Sequence, residues 1–409
     1  MVNYSCDKCG KSFKQKGHYM KHLQRKSPCD NIKDKIEKIV ENKVDELVKE
    51  KLQDLVEKGD IEIKNKNLIS NNQSSNKDTT KMEGQKIKFI DLFCGIGGFH
   101  AGLIEDKCVF ASDIDPSCRE VYKNNYNIEP YGDIFNINSN EVPDHDILCS
   151  GFPCQPYSIA GKQNGLNDKR ADTYKKMLDI IKTKKPKIII LENVKNLQII
   201  NKGEVFKMII DDLTKINYNI SHSVLNTNDF GLPQNRERLF IIGINKDYNT
   251  KSFTFNNLSK NKINKKLTDI ISVNNNYIEP EKYVILDDKH IKVQKSGLIF
   301  TGYIKGKIRG KGALPNTEHL SRVHKQPNRI YHVNGVNPTL SSSESSGRYY
   351  IFDGVGVRKL TIDECYRIMG FDNLTKHNKL NKCYNHIGNA VSPYIIREIR
   401  KELNNQSFI

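Results

Sequence analysis

Four short apolar runs dominate the middle of the chain: KFIDLF (88–93), CVFASDI (108–114), DILCSG (146–151) and KIIILENV (187–194). Each is too short to stand as a free helix, and helical patterns such as 172–182 and 204–215 lie between them. Continuous apolar strands alternating with helices imply a parallel sheet covered on both faces, because only doubly buried strands dispense with polar alternation. The expected fold class is therefore α/β over 87–244. Helical patterning returns from Arg358 to 409 and completes the same domain.

The segments around this unit read differently. Ile32, Ile36, Ile39, Val40, Val44, Leu47, Val48, Leu52 and Leu55 recur at steps of three and four, which gives an amphipathic helix over 31–58. A spacer helix and a coiled-coil strand both fit it, since Lys43 and Lys51 interrupt the register. Residues 59–86 are rich in Asn, Ser and Lys without a core pattern and read as a flexible linker. Residues 245–357 lack the strand–helix rhythm and read as a smaller, irregular domain. They hold 18 Lys and Arg against 9 Asp and Glu, so more than half of the chain's net charge of +17 sits there.

That charge points to a polyanionic partner, nucleic acid before membrane, against the plainer reading of a solvated basic surface. No apolar run approaches the roughly 20 residues needed to cross a bilayer. The first thirty residues are polar and basic, unlike a secretory signal. Ten Cys in 409 residues do not make a disulfide scaffold. The expected location is intracellular, in nucleus or cytoplasm, and not secreted.

Chemistry collects where the strands end. The first run passes into Cys94-Gly95-Ile96-Gly97-Gly98, a glycine turn of the kind that lets a ligand approach the backbone at a helix start. The second ends at Asp113, placed to bond ribose hydroxyls. The GxGxxG spacing of a nicotinamide site is absent. The third leads into Gly151-Phe-Pro-Cys154-Gln155-Pro-Tyr-Ser158. Cys149 fits ordinary core burial. Cys154, between prolines at a strand end, fits a thiolate nucleophile. The fourth ends at Glu192-Asn-Val194. A carboxylate after four apolar residues is costly unless paired or used, and burial would let it donate a proton near neutrality. Finally, Gln234-Asn-Arg236-Glu-Arg238 enters a strand whose period of two puts both arginines on one face, suited to an anion or a polarised carbonyl.

Taken in order, these motifs resemble the cytosine-5 DNA methyltransferase family over 88–243 and 358–401. Phe89–Leu103 looks like its cofactor loop, Gly151–Ser158 its nucleophile motif, and 159–170 its mobile loop that closes over DNA. Glu192–Val194 and Gln234–Arg238 look like its base-contacting motifs. Arg358–Thr361 with Glu364–Phe371, and Gly388–Val391, look like its two C-terminal motifs. The resemblance implies a Rossmann-like, S-adenosylmethionine-dependent methyltransferase domain with a target-recognition region at 245–357. Its partner would be double-stranded DNA, methylated at cytosine carbon 5 in a specific sequence, as in restriction–modification. Cys154 would be the nucleophile on a flipped-out base and Glu192 the proton-bearing acid. Arg236 and Arg238 would hold the ring carbonyl, and Gln155 would face the target base or the gap it leaves. Phe93, Gly95, Gly97, Asp113, Ile114, Asp133, Asn389 and Val391 would line the cofactor pocket. The family usually has an aromatic residue after the ribose acid. This chain has Ile114 there and no Trp anywhere, which implies weaker adenine packing.

The first thirty residues carry a separate signal. Cys6 and Cys9 form a CxxC, Phe13 and Tyr19 follow at core spacing, and twelve residues separate Cys9 from His22, as in a ββα zinc finger. The next ligand departs from the pattern: Cys29 follows His22 after six residues. The expected set is Cys6, Cys9, His22 and Cys29 around one zinc ion, with His18 as the competing ligand. Both a DNA-contacting and a protein-binding finger fit, so residues 1–58 also offer a protein partner. The catalytic domain is expected to be monomeric. Two competing functions remain: RNA (tRNA) cytosine-5 methylation, and a catalytically inactive DNA-binding protein.

Overall fold

The computed structural model describes residues 4–5, 12–13, 15–23, 86–153, 171–258, 265–306, 316–346 and 349–409. The expected helix at 31–58, the linker at 59–85, Cys6, Cys9, Cys29, Cys154, Gln155 and the loop 155–170 lie outside the described residues. The chain divides into two compact units, 1–81 and 82–409.

In the first unit, β1 (Tyr4–Ser5) pairs antiparallel with β2 (Ser12–Phe13), setting Tyr4 opposite Phe13. Helix α1 (Lys16–Leu23) follows, with His22 buried and His18 exposed.

The second unit is built on a six-stranded sheet. Its elements are β3 (Lys88–Leu92), α2 (Gly98–Gly102), β4 (Lys107–Ser112), α3 (Pro116–Tyr126), β5 (Ile147–Ser150), α4 (Ala171–Lys184), β6 (Ile188–Val194), α5 (Glu204–Lys215), β7 (Tyr218–Asn226), β8 (Gln234–Asn235) and β9 (Glu237–Asn245). The sheet order is β4-β3-β5-β6-β9-β7. The four strands read from the apolar runs are mutually parallel, as expected. The sheet as a whole is mixed, because β9 runs antiparallel to both β6 and β7. The connection from β7 to β9 is short, and so close a return leaves a strand only the opposite direction.

Alternation along the strands explains the two cores. Ile90, Leu92, Leu148, Ile189, Leu191, Leu239 and Ile241 face α4 and α5 through Met177, Ile180, Ile181, Ile209 and Leu213. Their neighbours in sequence, Phe89, Ile147, Cys149, Ile188, Ile190, Phe240 and Ile242, face the other way onto Phe99 of α2 and onto Ile395, Ile396 and Ile399. A side-chain period of two thus buries both faces, which is why these strands contain almost no polar residue. Cys149 is fully buried, as its place in the run implied.

Residues 265–359 hold a second sheet rather than only irregular chain. Its strands are β10 (Tyr283–Ile285), β11 (Phe300–Ile304), β12 (Arg329–His332), β14 (Tyr350–Phe352) and β15 (Val357–Lys359), in the order β10-β11-β12-β14-β15. The intervening β13 (Asn337–Pro338) pairs with β8 of the main domain instead. Three to five residues per strand are too few for alternation to show against a polar background. The chain closes with α6 (Ile362–Met369), α7 (Leu380–Asn389) and α8 (Pro393–Asn405). Thr361 and Glu364 form a reciprocal cap at the start of α6, and Glu364 also takes a buried two-pronged ion pair from Arg358 at 2.9 Å.

Candidate active site

The carboxyl ends of the parallel strands form the site. Strand order reverses at β3, whose neighbours β4 and β5 follow it in the chain on opposite sides. Ligands in open α/β sheets collect in the crevice that such a reversal leaves.

On the β3–β4 side, Phe93 leaves the strand at φ 56 and Gly95 follows at φ 53. A left-handed conformation at Phe93 costs strain that only a fixed surrounding maintains, and such outliers cluster at ligand sites. Among the described residues, a side chain at Gly95 would meet nothing within 4 Å, so its backbone faces away from them. At Gly98 the opposite holds: a Cβ would lie 2.2 Å from the carbonyl oxygen of Val391. The glycine turn is therefore clear of the described residues at Gly95 and sealed at Gly98 by the C-terminal segment.

Asp113 stands beside this turn. Its carboxylate accepts from the Gly95 amide and the Asp115 amide, both at 2.8 Å. Burial pushes its pKa up, and those two amide bonds oppose the rise. Ile114 is 70 % exposed and packs on nothing apolar in the clusters of the core. Asp133 caps a single turn by accepting from the Phe135 amide. Asn389 is exposed at the end of α7, and Val391 is buried against the β5–β6 face. The backbone at Gly95, the fixed carboxylate at Asp113 and a side of Phe93 make a donor and acceptor set that suits an adenosine ligand.

On the β5–β6 side, Glu192 lies near the end of the buried part of β6 and is 8 % exposed. A Cβ placed on Gly151 would lie 3.5 Å from Val391 Cγ2, 3.8 Å from Glu192 Oε2 and 4.0 Å from Phe99 Cε2. The start of the Gly151–Ser158 motif, the acid and the glycine-turn helix thus lie side by side. Asn193 fixes that start by donating Nδ2 to the Phe152 carbonyl at 2.9 Å.

Arg238 reaches Glu192, Nε to Oε1 at 3.1 Å. The register explains this: Arg238 opposes Val194, so it sits on Glu192's face one pair along. Burial raises the Glu192 pKa, and the charges of Arg238 and then Arg236 hold the rise back. Arg236 is itself turned inward. Its Nη2 donates to the carbonyls of Gly388 (3.1 Å) and Ala390 (2.7 Å). Gln234 is fully buried, accepting from the Leu340 amide and donating toward Ile368. The run 234–238 therefore presents Arg238 to Glu192 and spends Gln234 and Arg236 on fastening other segments.

Two residues absent from the sequence reading sit beneath the site. Asp91, in the middle of β3, is fully buried, and among the described residues neither carboxyl oxygen has a hydrogen-bond partner. Burial and then Asp113 drive its pKa well up. An acid inside the run KFIDLF was the available signal. His386 of α7 is buried and bonds the Ser117 hydroxyl at 2.8 Å; no spacing in the sequence marked it.

Comparison with known proteins gives the family and the fold. A family profile described as C-5 cytosine-specific DNA methylase matches residues 87–405. The chain is 33% identical over 333 residues to the Type II methyltransferase M.HhaI of Haemophilus parahaemolyticus, covering 78% of this chain and 95% of that protein. It is 30% identical over 351 residues to the Type II methyltransferase M.MspI of Moraxella sp, covering 83% and 77%. Among solved structures, the S. pombe Dnmt2 methyltransferase superposes with a TM-score of 0.55 at 18% identity, covering 79% of this chain and all of that one. The Entamoeba histolytica methyltransferase EhMeth gives 0.55 at 21%, covering 78% and 98%. At those identities the structures support the fold alone.

Proposed function

The chain belongs to the C-5 cytosine-specific DNA methylase family, and from that premise we propose how it works as a DNA cytosine-5 methyltransferase. Cys154 adds as thiolate to carbon 6 of a cytosine lifted from the duplex, since the reacting atoms are inaccessible in the stack. Addition moves electron density toward ring nitrogen 3 and the exocyclic amine. Glu192, whose pKa burial raises against the pull of Arg238 and Arg236, provides a proton there. Arg238 orients that carboxyl and faces the carbonyl at ring position 2, and Gln155 faces the base or its gap. Arg236 lends charge to the pair while holding the Gly388–Ala390 turn. Bound S-adenosylmethionine would supply the electrophilic methyl to carbon 5, its sulfur leaving as the neutral thioether. Loss of the carbon-5 proton to a base then expels the Cys154 thiolate and restores aromaticity.

Phe93, Gly95, Gly97, Asp113, Ile114, Asp133, Asn389 and Val391 hold the cofactor. The backbone at Gly95 and the fixed carboxylate at Asp113 fit its adenosine half. The basic region 245–357 reads the target sequence, phosphate contacts setting affinity and base-edge contacts the choice. Cys6, Cys9, His22 and Cys29 hold one zinc ion. What supports this is the paired strands β1 and β2, the helix α1 and the burial of His22 where His18 is exposed.

The observation carrying the proposal is the closeness of Glu192, Phe99 and Val391 to Gly151, where the nucleophile motif begins. The experiment is trapping on duplex DNA containing 5-fluorocytosine with tritiated cofactor. The wild-type chain should give a covalent adduct that survives denaturation, and Cys154→Ala should give none. Label transferred only to tRNA would replace DNA with RNA as substrate.

A further inference from the structure

A continuous hydrogen-bonded chain joins α7 to Asp113 and the glycine turn. His386 Nε2 lies 2.8 Å from Ser117 Oγ, and Ser117 Oγ lies 2.7 Å from Asp115 Oδ1. The Asp115 amide then donates to Asp113 Oδ1, and the Gly95 amide to Asp113 Oδ2. Lys382, one turn before His386, reaches Asp115 Oδ2 at 3.1 Å.

Proton accounting orders this chain. Burial works against the Asp115 carboxylate, but the Ser117 hydroxyl and amide and Lys382 hold its pKa at about 2. It is therefore an acceptor only, and the single Ser117 hydroxyl proton must go to it. Ser117 Oγ can then only accept from His386, so His386 carries its proton on Nε2. The other ring nitrogen, Nδ1, is buried with no hydrogen-bond partner among the described residues. Burial keeps the ring neutral, with a pKa of about 4.

Asp115, Cys118 and His386 also bring donor atoms within 4.8 Å of one another, a set a metal could use. The arrangement favours a relay instead. The Ser117 hydroxyl already bonds two of the three, and Lys382 adds a positive charge beside them.

We propose that His386 is a positioning residue for the cofactor, acting through Ser117 and Asp115 to fix the Asp113 carboxylate. The inference rests on the reading of Asp113 as the ribose-binding acid. The imidazole touches neither cofactor nor base. It sets where the 113–115 turn stands relative to α7, whose end carries Asn389 and leads to Val391.

The test uses the full chain with duplex DNA, and S-adenosylhomocysteine as the binding probe. His386→Phe keeps ring volume and removes the donor. It should raise KM for S-adenosylmethionine and weaken S-adenosylhomocysteine binding about fivefold, the equivalent of one neutral hydrogen bond. The kcat and the KM for DNA should stay within about twofold, as expected when a binding interaction alone is lost. His386→Gln, which returns an N–H donor, should recover most of the loss, and Ser117→Ala should reproduce it. Unchanged cofactor parameters in His386→Phe and Ser117→Ala overturn the inference. So does an equal fall in every parameter with no recovery in His386→Gln. A wild-type chain that binds no S-adenosylhomocysteine removes the underlying reading itself; wild-type binding with silent variants removes the relay alone.

Discussion

Glu192 and Asp113 stand at the same edge of one sheet, are both withdrawn from water and are both pushed toward protonation by burial. Their partners differ. Glu192 faces the side chain of Arg238, a movable cation that can follow a change of charge. Asp113 is gripped by two main-chain amides that cannot move without the glycine turn. A carboxyl group balanced between burial and a mobile cation suits proton exchange. One pinned by amides suits holding a ligand. In the proposed reading, one sheet edge separates chemistry from binding by the kind of neighbour it gives each acid.

The comparison breaks most visibly at Glu192. Glu192→Gln should lower kcat about a hundredfold, the usual worth of a positioned acid, while KM for the cofactor stays put. Steady-state kinetics on duplex DNA checks this; an equal rise in KM would erase the division of labour. Removing the cation comes next. Arg238→Ala removes a charge that lowers the Glu192 pKa, so that pKa rises further. If Glu192 works protonated, kcat falls about tenfold while the alkaline limb of its pH profile moves up. A limb moving down would assign the working form to the carboxylate. Asp113→Asn should act on the other side of the divide, raising cofactor KM about tenfold with kcat nearly unchanged. The smallest effect belongs to Asp91, fully buried within β3. Its folded pKa is raised, so the native state keeps a proton that the unfolded chain loses near pH 4. Stability from that proton is full below about pH 4 and is lost as pH rises through the folded pKa. Asp91→Asn removes this dependence. Its Tm should match or exceed wild type by about 2 °C at pH 8, with no such gain at pH 4. A variant that loses more at pH 8 than at pH 4 would contradict a protonated Asp91.

The strands of the parallel core and the acids that end them were legible because double burial leaves an unbroken apolar run, against which Asp113 and Glu192 stand out. The shared face expected for Arg236 and Arg238 rests on an uninterrupted strand. Arg236 in fact lies in the break between β8, which pairs with Asn337 and Pro338, and β9, which pairs with β6. Pairing with residues about a hundred positions away leaves no local trace in the sequence. β7 was missed for a related reason: it is an edge strand, half-buried and rich in Asn, Ser and His, so its run is not apolar. The sheet of 283–359 consists of strands too short to show a period. His386 escaped notice because its partner, Ser117, lies 269 residues earlier.

The seal between Gly98 and Val391 has a consequence for the timing of synthesis. The glycine turn emerges from the ribosome about 290 residues before Val391, which closes against it. Until Val391 arrives the turn has no floor, so a nascent chain carries the Gly151–Ser158 motif before the turn proposed to hold the methyl donor is finished. A half-made enzyme of this design stays silent on DNA.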